Sequence, residues 1–350
     1  MTRDPSQDTQ SEMTLAQLGW QNFFAQQTDV DEMERTPPVR VTEVHRNGLR
    51  VRGETIDALI PPGPEATVGD WLLYDSELPS ASAVLDRKSL VKRRAAGHDR
   101  SAQLIAANLD TAFIVTSCNQ DFNVARLERY IALTLEAGVT PVIVLTKADL
   151  CDDPASFVET ANTISELVAV VTLDARGAEP TQKLAPWCKA GKTVAFLGSS
   201  GVGKSTLTNA LSDALNIETQ AIREDDAKGR HTTTRRQLHF VPNGCAVLDT
   251  PGMRELQLTE AASGVADLFS DIHALTQQCK FRDCAHETEP GCAVRGALES
   301  GEIEAPRLER WRKLYDEDQL NTAALERRRA SDKALAKVIR QAKKLKNYRK

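Results

Sequence analysis

The feature that most constrains the fold is a glycine-rich loop between an apolar run and a helical stretch. Residues 192–211 read KTVAFLGSSGVGKSTLTNAL, and residues 198–205 match the pattern G-x-x-x-x-G-K-[ST]. Glycines allow backbone N–H groups to converge on phosphate oxygens, and the helix N-terminus adds a positive end. A strand, this loop and a helix in direct succession predict an α/β phosphate-binding domain.

The residue types of this loop predict their roles. Lys204 is expected to reach the β- and γ-phosphates, the Ser205 hydroxyl to bind Mg²⁺, and Thr206 to support the α/β-phosphate side. The predicted nucleotide-binding residues here are Gly198, Ser199, Ser200, Gly201, Val202, Gly203, Lys204, Ser205 and Thr206.

A second phosphate-side motif follows the apolar run CAVL. It reads DTPG, and we expect Asp249 to act on Mg²⁺ through water and the Gly252 N–H to contact the γ-phosphate. Between the two motifs lies the polar stretch REDDAKGRHTTTRR, residues 223–236. Adjacent threonines in such a loop suit a γ-phosphate sensor, because one hydroxyl can bind Mg²⁺ and be released when phosphate leaves. One of residues 232–234, taken as Thr233, is the expected ligand.

A guanine-reading motif precedes the phosphate loop. The apolar run PVIVL leads into Thr146, Lys147, Ala148 and Asp149. The Asp149 carboxylate would accept from the N1–H and 2-amino group of guanine, a donor pair that adenine lacks. The Lys147 stem would pack along the base.

A candidate fifth motif is TLDA, residues 172–175, where Asp174 and Ala175 would present a backbone N–H to guanine O6. In ordinary GTPases the phosphate loop is motif 1, the threonine loop motif 2, DTPG motif 3, and the two guanine-reading motifs are 4 and 5. In this chain the order along the sequence is 4-5-1-2-3. A circular permutation explains this order if the original ends lie close together, as domain ends often do. Strands alternate with helices over residues 104–262, which predicts a permuted P-loop GTPase domain with a mostly parallel sheet. The second switch would lead directly into the C-terminal segment, so nucleotide state is expected to move that segment.

The pattern C-x4-C-x-H-x5-C is formed by Cys279, Cys284, His286 and Cys292. Three thiolates and one imidazole suit tetrahedral Zn²⁺, and four protein ligands make a closed structural site. The surrounding segment has few apolar residues, so one metal ion per chain is expected to stabilise it. We predict an α-helical zinc-binding domain over residues 263–350.

The N-terminal part divides in two. Residues 1–35 are expected to be a disordered or loosely attached tail. Residues 36–95 contain five short, partly alternating runs with a turn at RNG, which predicts an OB-fold β-barrel. Another small barrel, of SH3 type, is the alternative.

Charge is unevenly distributed along the chain. Residues 326–350 contain eleven Lys/Arg and two acidic residues, a net +9, against −14 for the remainder. A basic tail suggests nucleic acid or a membrane surface as partner. There is no apolar run near the roughly 20 residues of a membrane span, and no signal-peptide core at the N-terminus. A cytoplasmic protein is therefore expected, and the odd count of seven cysteines fits a reducing compartment.

Taken in order, these motifs resemble the circularly permuted GTPases of the RsgA/YjeQ type. The resemblance covers roughly residues 36–345 and rests on the five-strand region, AANLD, TKAD before GSSGVGKST, GRHTTT, DTPG and the Cys/His spacing. It implies an OB-fold, a permuted GTPase domain and a helical zinc domain. It also implies GTP hydrolysis stimulated by the small ribosomal subunit, in late maturation of that subunit, with a check of the decoding region and release of an assembly factor. The expected partners are GTP or GDP with Mg²⁺, the small subunit with its rRNA, and assembly factors. The protein is expected to be a monomer without a membrane partner.

By the same analogy, His231 would help to position the attacking water. Met253 follows DTPG, where Ras-like enzymes place a catalytic Gln, and an apolar side chain cannot orient water. The chain departs from the usual motifs at Thr146, where Asn is common, and at Asp174, where Ser is common. Two other functions stay open: a passive rRNA-binding assembly factor with little hydrolysis, and an ATP-dependent nucleic-acid protein, against which Asp149 argues.

Overall fold

The computed structural model describes residues 13–45, 47–94, 102–213, 236–241, 244–249, 261–323 and 327. The chain divides into two compact units. The first comprises Met1–Tyr130 and Ala137–Leu256, and the second comprises Ile131–Glu136 and Gln257–Lys350.

The first unit is an α/β unit with thirteen described strands. The strands are β1 (Pro38–His45), β2 (Gly48–Arg52), β3 (Asp57–Ile60), β4 (Trp71–Leu73), β5 (Ala83–Val84), β6 (Leu90–Arg94), β7 (Ala102–Ala107), β8 (Thr111–Ser117), β9 (Thr140–Thr146), β10 (Ala169–Thr172), β11 (Thr193–Leu197), β12 (Arg236–Phe240) and β13 (Ala246–Asp249). The helices are α1 (Leu15–Leu18), α2 (Asn22–Ala25), α3 (Val30–Arg35), α4 (Val124–Glu136, of which Ile131–Glu136 belongs to the second unit), α5 (Pro154–Asn162), α6 (Glu179–Leu184) and α7 (Lys204–Asp213).

Five parallel strands form the centre of the large sheet, in the order β10-β9-β8-β11-β13, and β12 runs antiparallel beside β13. Every residue of β8 and β11 is buried, as expected of strands with helices on both faces. After β8 the chain continues to β9, on one side in the strand order, and after β11 it continues to β12 and β13, on the other side. The carboxyl ends of β8 and β11 therefore mark a topological switch point, where α/β sheets bind ligands.

The core of this unit joins the sheet to its helices. Phe113 and Phe196 stack on neighbouring strands with ring centroids 5.3 Å apart, and Leu184 of α6 and Leu207 of α7 are fully buried in the same cluster. The predicted alternation of strands and helices is confirmed. The sequence SFVETANTISELV, residues 156–168, predicts a helix, but α5 ends earlier, at Asn162. The backbone turns at Thr163, whose hydroxyl donates to the Thr160 carbonyl.

The five predicted strands of the N-terminal β region are confirmed. β1 pairs antiparallel with both β2 and β4, β2 pairs with β3, and β4 pairs with β5. β1 also pairs with β12, at Glu43 opposite Gln237 and Val44 opposite Arg236, so one sheet runs from the N-terminal strands into the central strands. The sequence RKSLVKRR, residues 87–94, predicts a basic connector, but it contains β6, which pairs with β7.

Residues 13–35 are not a loosely attached tail, contrary to the expectation for 1–35. Leu18 and Phe24 are buried with Trp71, and Trp20 meets Trp71 edge-on at 4.8 Å between ring centroids. The reason is apolar burial, since two large side chains from this segment lose nearly all contact with water. Residues 1–12 lie outside the described part.

A buried cation connects this segment to the central sheet. Arg40 of β1 is 1% exposed and donates to the Leu18 carbonyl at 2.6 Å and to the Thr193 hydroxyl at 2.7 Å. Asp110, close by, accepts from Lys88 Nζ at 2.6 Å and from Lys192 Nζ at 2.9 Å. Burial lowers the pKa of Arg40 to about 10, so the guanidinium is charged at neutral pH.

The described part of the second unit contains helices and a non-helical segment. Its helices are α8 (Ala262–Leu268), α9 (Ser270–Thr276), α10 (Ala293–Ser300) and α11, residues 305–323. The non-helical segment is residues 277–292, between α9 and α10. Arg307 joins α11 to α9 through a two-pronged ion pair with Asp271, at 2.8 and 2.9 Å, and lies over the Phe269 ring at 4.9 Å. The sequence PRLERWRKLYDEDQL, residues 306–320, predicts a helix, and α11 confirms it. Residues 335–345, where apolar residues recur at helical spacing among Lys and Arg, also predict a helix, but they lie outside the described residues. None of the described helices is both long and apolar enough for a membrane span.

Candidate nucleotide site and metal centre

The phosphate loop connects β11 to α7 at the carboxyl edge of the sheet. Gly198, Gly201 and Gly203 have φ angles of 140°, 78° and 97°, a region that L residues rarely adopt. A Cβ at Gly198 would lie 2.2 Å from the Val115 carbonyl oxygen. Glycine is therefore required there both by the backbone conformation and by the close approach of β8. The strand, loop and helix predicted from the sequence are present.

Two cations converge on one residue of this loop. Lys204 Nζ donates to the Ser199 carbonyl, and Arg126 Nη1 from α4 donates to the Ser199 hydroxyl. Ser205 and Thr206 are exposed at the start of α7, and Val202 is buried beneath the loop. The ammonium group expected to bind phosphate thus already lies at the loop.

Thr146, the first residue of the guanine-reading motif, is buried beside the phosphate loop. Its hydroxyl lies 2.7 Å from the Val202 carbonyl oxygen and 3.2 Å from the Thr116 carbonyl oxygen. Its side chain is also within 3.7 Å of a Cβ built on Gly203. The hydroxyl therefore bonds the end of β9 to the phosphate loop, which explains physically how Thr serves at a position where Asn is common.

Replacing Thr146 by Val is expected to weaken GTP binding about tenfold, or ~1.4 kcal/mol. The methyl group that replaces the hydroxyl fits the same space but leaves the Val202 carbonyl without its donor. The connection between the two loops is therefore weakened. Equilibrium titration with GTP measures the change. Thr146→Ser keeps the hydroxyl and is the control, and equal affinity of Thr146→Val and the unaltered chain would contradict the assignment.

The rest of this motif faces outward. Lys147 adopts a left-handed conformation, φ 58° and ψ 27°, which turns the chain from β9 into a short 3-10 helix over Ala148–Leu150. Asp149 is exposed, and its carboxylate has no hydrogen-bond or ion-pair partner within the described parts of the chain. An unpaired carboxylate at this edge of the sheet is available to a ligand.

The candidate fifth motif follows β10 at the same edge. Ala175 is buried, and its side chain lies 3.6 Å from a Cβ built on Gly203. The Asp174 N–H donates to Glu179 at 2.9 Å, and the Asp174 carboxylate accepts from the Arg176 N–H at 2.9 Å. The Lys183 ammonium, helped by this N–H, holds the pKa of Glu179 below its usual value. These contacts order the turn next to the phosphate loop.

The γ-phosphate side is only partly described. Asp249 ends β13, so its backbone lies at the carboxyl edge with the other motifs. Thr233, His231 and Gly252 lie outside the described residues, and their roles stay predictions.

The four predicted metal ligands lie together in the second unit. The ligand atoms of Cys279, Cys284, His286 and Cys292 are all within 4.8 Å of one another. His286 Nδ1 is 3.5 Å from both the Cys279 and Cys292 sulfurs, which are 4.0 Å apart. A tetrahedral zinc site with ordinary bond lengths separates its ligand atoms by about 3.6–3.8 Å. The cluster is therefore compatible with a structural metal ion.

Neighbouring groups hold His286 in place. Its backbone is left-handed, with φ 60°, its carbonyl accepts from Arg312 of α11, and its ring lies 5.8 Å from that of Trp311. Burial, together with the Arg312 cation, lowers the pKa of His286. A lowered pKa favours the neutral imidazole, which is the form that binds metal.

Two supporting cations were not predicted from the sequence. Arg126 reaches the phosphate loop from 73 positions away, and Arg312 reaches the metal loop from 26 positions away. Neither belongs to a motif. The one available signal for Arg126 is its place in the first turn of the helix after β8, a strand that the sequence does predict.

The chain is similar to proteins of one GTPase family over most of its length. The family model described as RsgA GTPase matches residues 84–259. A model described as ABC transporter matches residues 182–339, a stretch that includes the phosphate loop. The chain is 47% identical over 329 residues to "Small ribosomal subunit biogenesis GTPase RsgA 2" of Vibrio parahaemolyticus, covering 93% of this chain and 92% of the relative.

Two solved structures share the fold. YjeQ from Thermotoga maritima matches with a TM-score of 0.59 and 27% identity, over 80% of this chain and 97% of that one. YloQ, described as a circularly permuted GTPase, matches with a TM-score of 0.55 and 25% identity, over 80% of this chain and 94% of that one. The permuted order of the motifs and the similarity to these relatives lead to the same conclusion. The chain belongs to the RsgA GTPase family, and its nucleotide domain is a circularly permuted GTPase domain.

Proposed function

We propose that this protein binds GTP with Mg²⁺ and hydrolyses it in late maturation of the small ribosomal subunit. The observation that carries the proposal is the bond between Thr146 and the Val202 carbonyl, because it holds a guanine-reading loop against a phosphate loop. The unpaired Asp149 carboxylate supports selection of guanine over adenine.

Each group of residues at the nucleotide site has a separate proposed role. The phosphate-loop residues 198–206 would surround the phosphates, and Asp149 and the turn at Asp174 and Ala175 would meet the base. Mg²⁺ would be held by Ser205, Thr233 and Asp249 and would neutralise charge on the phosphates. His231 orients the attacking water. The exposed Ser205 at the start of α7 supports its part, since a hydroxyl there is open to a metal ion.

Zn²⁺ is the proposed metal in the second unit. Three sulfurs and a neutral imidazole are the donors that zinc prefers, and four protein ligands leave no open position for catalysis. Its role is structural. The proposed zinc domain is 263–350, and its basic tail and zinc-bound loop would contact rRNA phosphates, with binding that weakens as salt rises.

The N-terminal β region is proposed to be an OB-fold over residues 36–95, joined to a GTPase domain over 104–262. The pairing of β1 with both β2 and β4, of β2 with β3, and of β4 with β5 supports a partly open five-stranded barrel. Such barrels bind oligonucleotides, which suits rRNA as partner.

The partner is proposed from the relatives. The protein of Vibrio parahaemolyticus carries small ribosomal subunit biogenesis in its name and matches nearly the whole chain. We infer the same partner here, together with release of an assembly factor, a monomeric state and a cytoplasmic location.

The test compares GTP and ATP hydrolysis with and without purified small subunits at matched salt. We expect GTP to be used, the subunit to stimulate its hydrolysis, and Lys204→Ala to abolish it. GTP binding without stimulation would favour a passive assembly factor, and equal use of ATP would overturn the assignment of Asp149.

Asp149→Ala is expected to lower GTP affinity on the order of 100-fold, because two hydrogen bonds to a charged acceptor are lost. ATP affinity should change little. Asp152→Ala removes another exposed carboxylate three residues further along and is the matched control. An unchanged preference for GTP in Asp149→Ala contradicts its role in reading guanine.

A further inference from the structure

Arg126 is placed at the phosphate loop by the start of α4. The Arg126 N–H donates to the Asn123 side chain at 2.9 Å, and the Leu127 N–H donates to the Asn123 carbonyl at 3.0 Å. This cap sets where the helix begins after β8, the strand beside β11. The side chain of the first helical turn is thereby held at the edge of the sheet where the phosphate loop lies.

The guanidinium is half-buried and is not neutralised by a carboxylate within the described residues. Its bond goes to the Ser199 hydroxyl, and arginine carries five N–H donors, so others remain for a ligand or water. A lasting positive charge at this place favours an incoming polyphosphate.

Two cations, Lys204 and Arg126, donate hydrogen bonds to Ser199, and their roles differ. Lys204 donates to its carbonyl, yet Lys204 must turn to the β- and γ-phosphates when nucleotide binds. Arg126 donates to its hydroxyl from another helix and can stay there. Once Lys204 has moved, the bond from Arg126 is the side-chain bond that still holds Ser199 among the described residues.

We propose that Arg126 is a positioning residue for nucleotide binding, which acts through Ser199 to keep the phosphate loop in its binding shape. This inference rests on the proposed GTP-binding function. It gives α4 a role in nucleotide binding, although Arg126 lies outside all of the sequence motifs.

The test is a double-mutant cycle in the full chain, with GTP and GDP affinity measured by titration apart from hydrolysis. Arg126→Ala is expected to weaken both nucleotides 10- to 100-fold and to raise KM while kcat changes less than threefold. Ser199→Ala is expected to weaken them in part. If Arg126 acts through Ser199, the double variant is no weaker than Arg126→Ala alone. Arg126→Lys should restore part of the affinity.

The control is Lys189→Ala, which removes an exposed cation of the same unit, and the thermal midpoint of the nucleotide-free protein should stay the same in all variants. Full additivity of the two changes, or a loss in kcat without a change in KM, would falsify the proposal. A wild-type chain that binds no guanine nucleotide would instead overturn the proposed function. Wild-type affinity in Arg126→Ala would overturn this inference alone.

Discussion

Chelation of the metal is expected to unfold the loop that contains Cys279, Cys284, His286 and Cys292. Structural zinc contributes an apparent binding free energy of about 10–16 kcal/mol in small zinc-binding peptides, and most of it becomes folding free energy. Cys292→Ser should have the same effect. It removes a ligand and also a cap, since the Arg295 N–H at the start of α10 donates to the Cys292 sulfur at 3.4 Å.

The measurements are zinc content per chain and near-ultraviolet circular dichroism, which reports on Trp311 beside His286. One zinc ion is expected in the purified protein. Loss of zinc should weaken the near-ultraviolet circular dichroism signal of the second unit. His273→Ala is the matched control, because His273 is exposed in the same unit and outside the ligand cluster. A Cys292→Ser variant with full zinc content and an unchanged spectrum would show that the cluster binds no structural zinc.

Replacing Arg40 by Ala is expected to destabilise the first unit by about 3–5 kcal/mol, the cost of removing one member of a buried charged network. The change leaves the Leu18 carbonyl and the Thr193 hydroxyl without their donor in a place that water does not reach. It also leaves the negative charge of Asp110 less compensated, because Arg40 interacts favourably with that carboxylate.

Urea unfolding of the nucleotide-free protein measures the loss, and limited proteolysis should show residues 13–35 cut first. Arg50→Ala is the control on the neighbouring strand, where the ion pair with Asp57 is solvent-exposed and contributes about 0–1 kcal/mol. Similar losses in the two variants would mean that Arg40 has no special part in joining these segments.

The local motifs could be predicted because each depends on residues that are close in sequence. The phosphate loop follows from its glycines and lysine, and the metal cluster from four ligands within fourteen positions of one another. The strands β8, β9 and β11 follow from continuous apolar runs, since a parallel strand is buried on both faces. The permuted motif order was also visible in the sequence.

The expectation for residues 13–35 was wrong because a short amphipathic piece such as LAQLGWQNFF, residues 15–24, does not specify what it packs against. Leu18 and Phe24 are buried against Trp71, Leu73 and Leu85, which lie far along the chain. The same holds for β6, which reads as a basic connector until β7 provides its hydrogen-bond partners.

The sequence alone predicted the chemistry of this protein: a phosphate loop, a carboxylate proposed to read guanine, and a set of thiolates with one imidazole as proposed metal ligands. The tertiary structure decided how these pieces are held. Thr146 bonds to Val202 from 56 positions away, Arg126 to Ser199 from 73 and Arg40 to Thr193 from 153. Hydrogen bonds of this kind have no local pattern, because their partners become neighbours only when distant strands and loops come together in the fold.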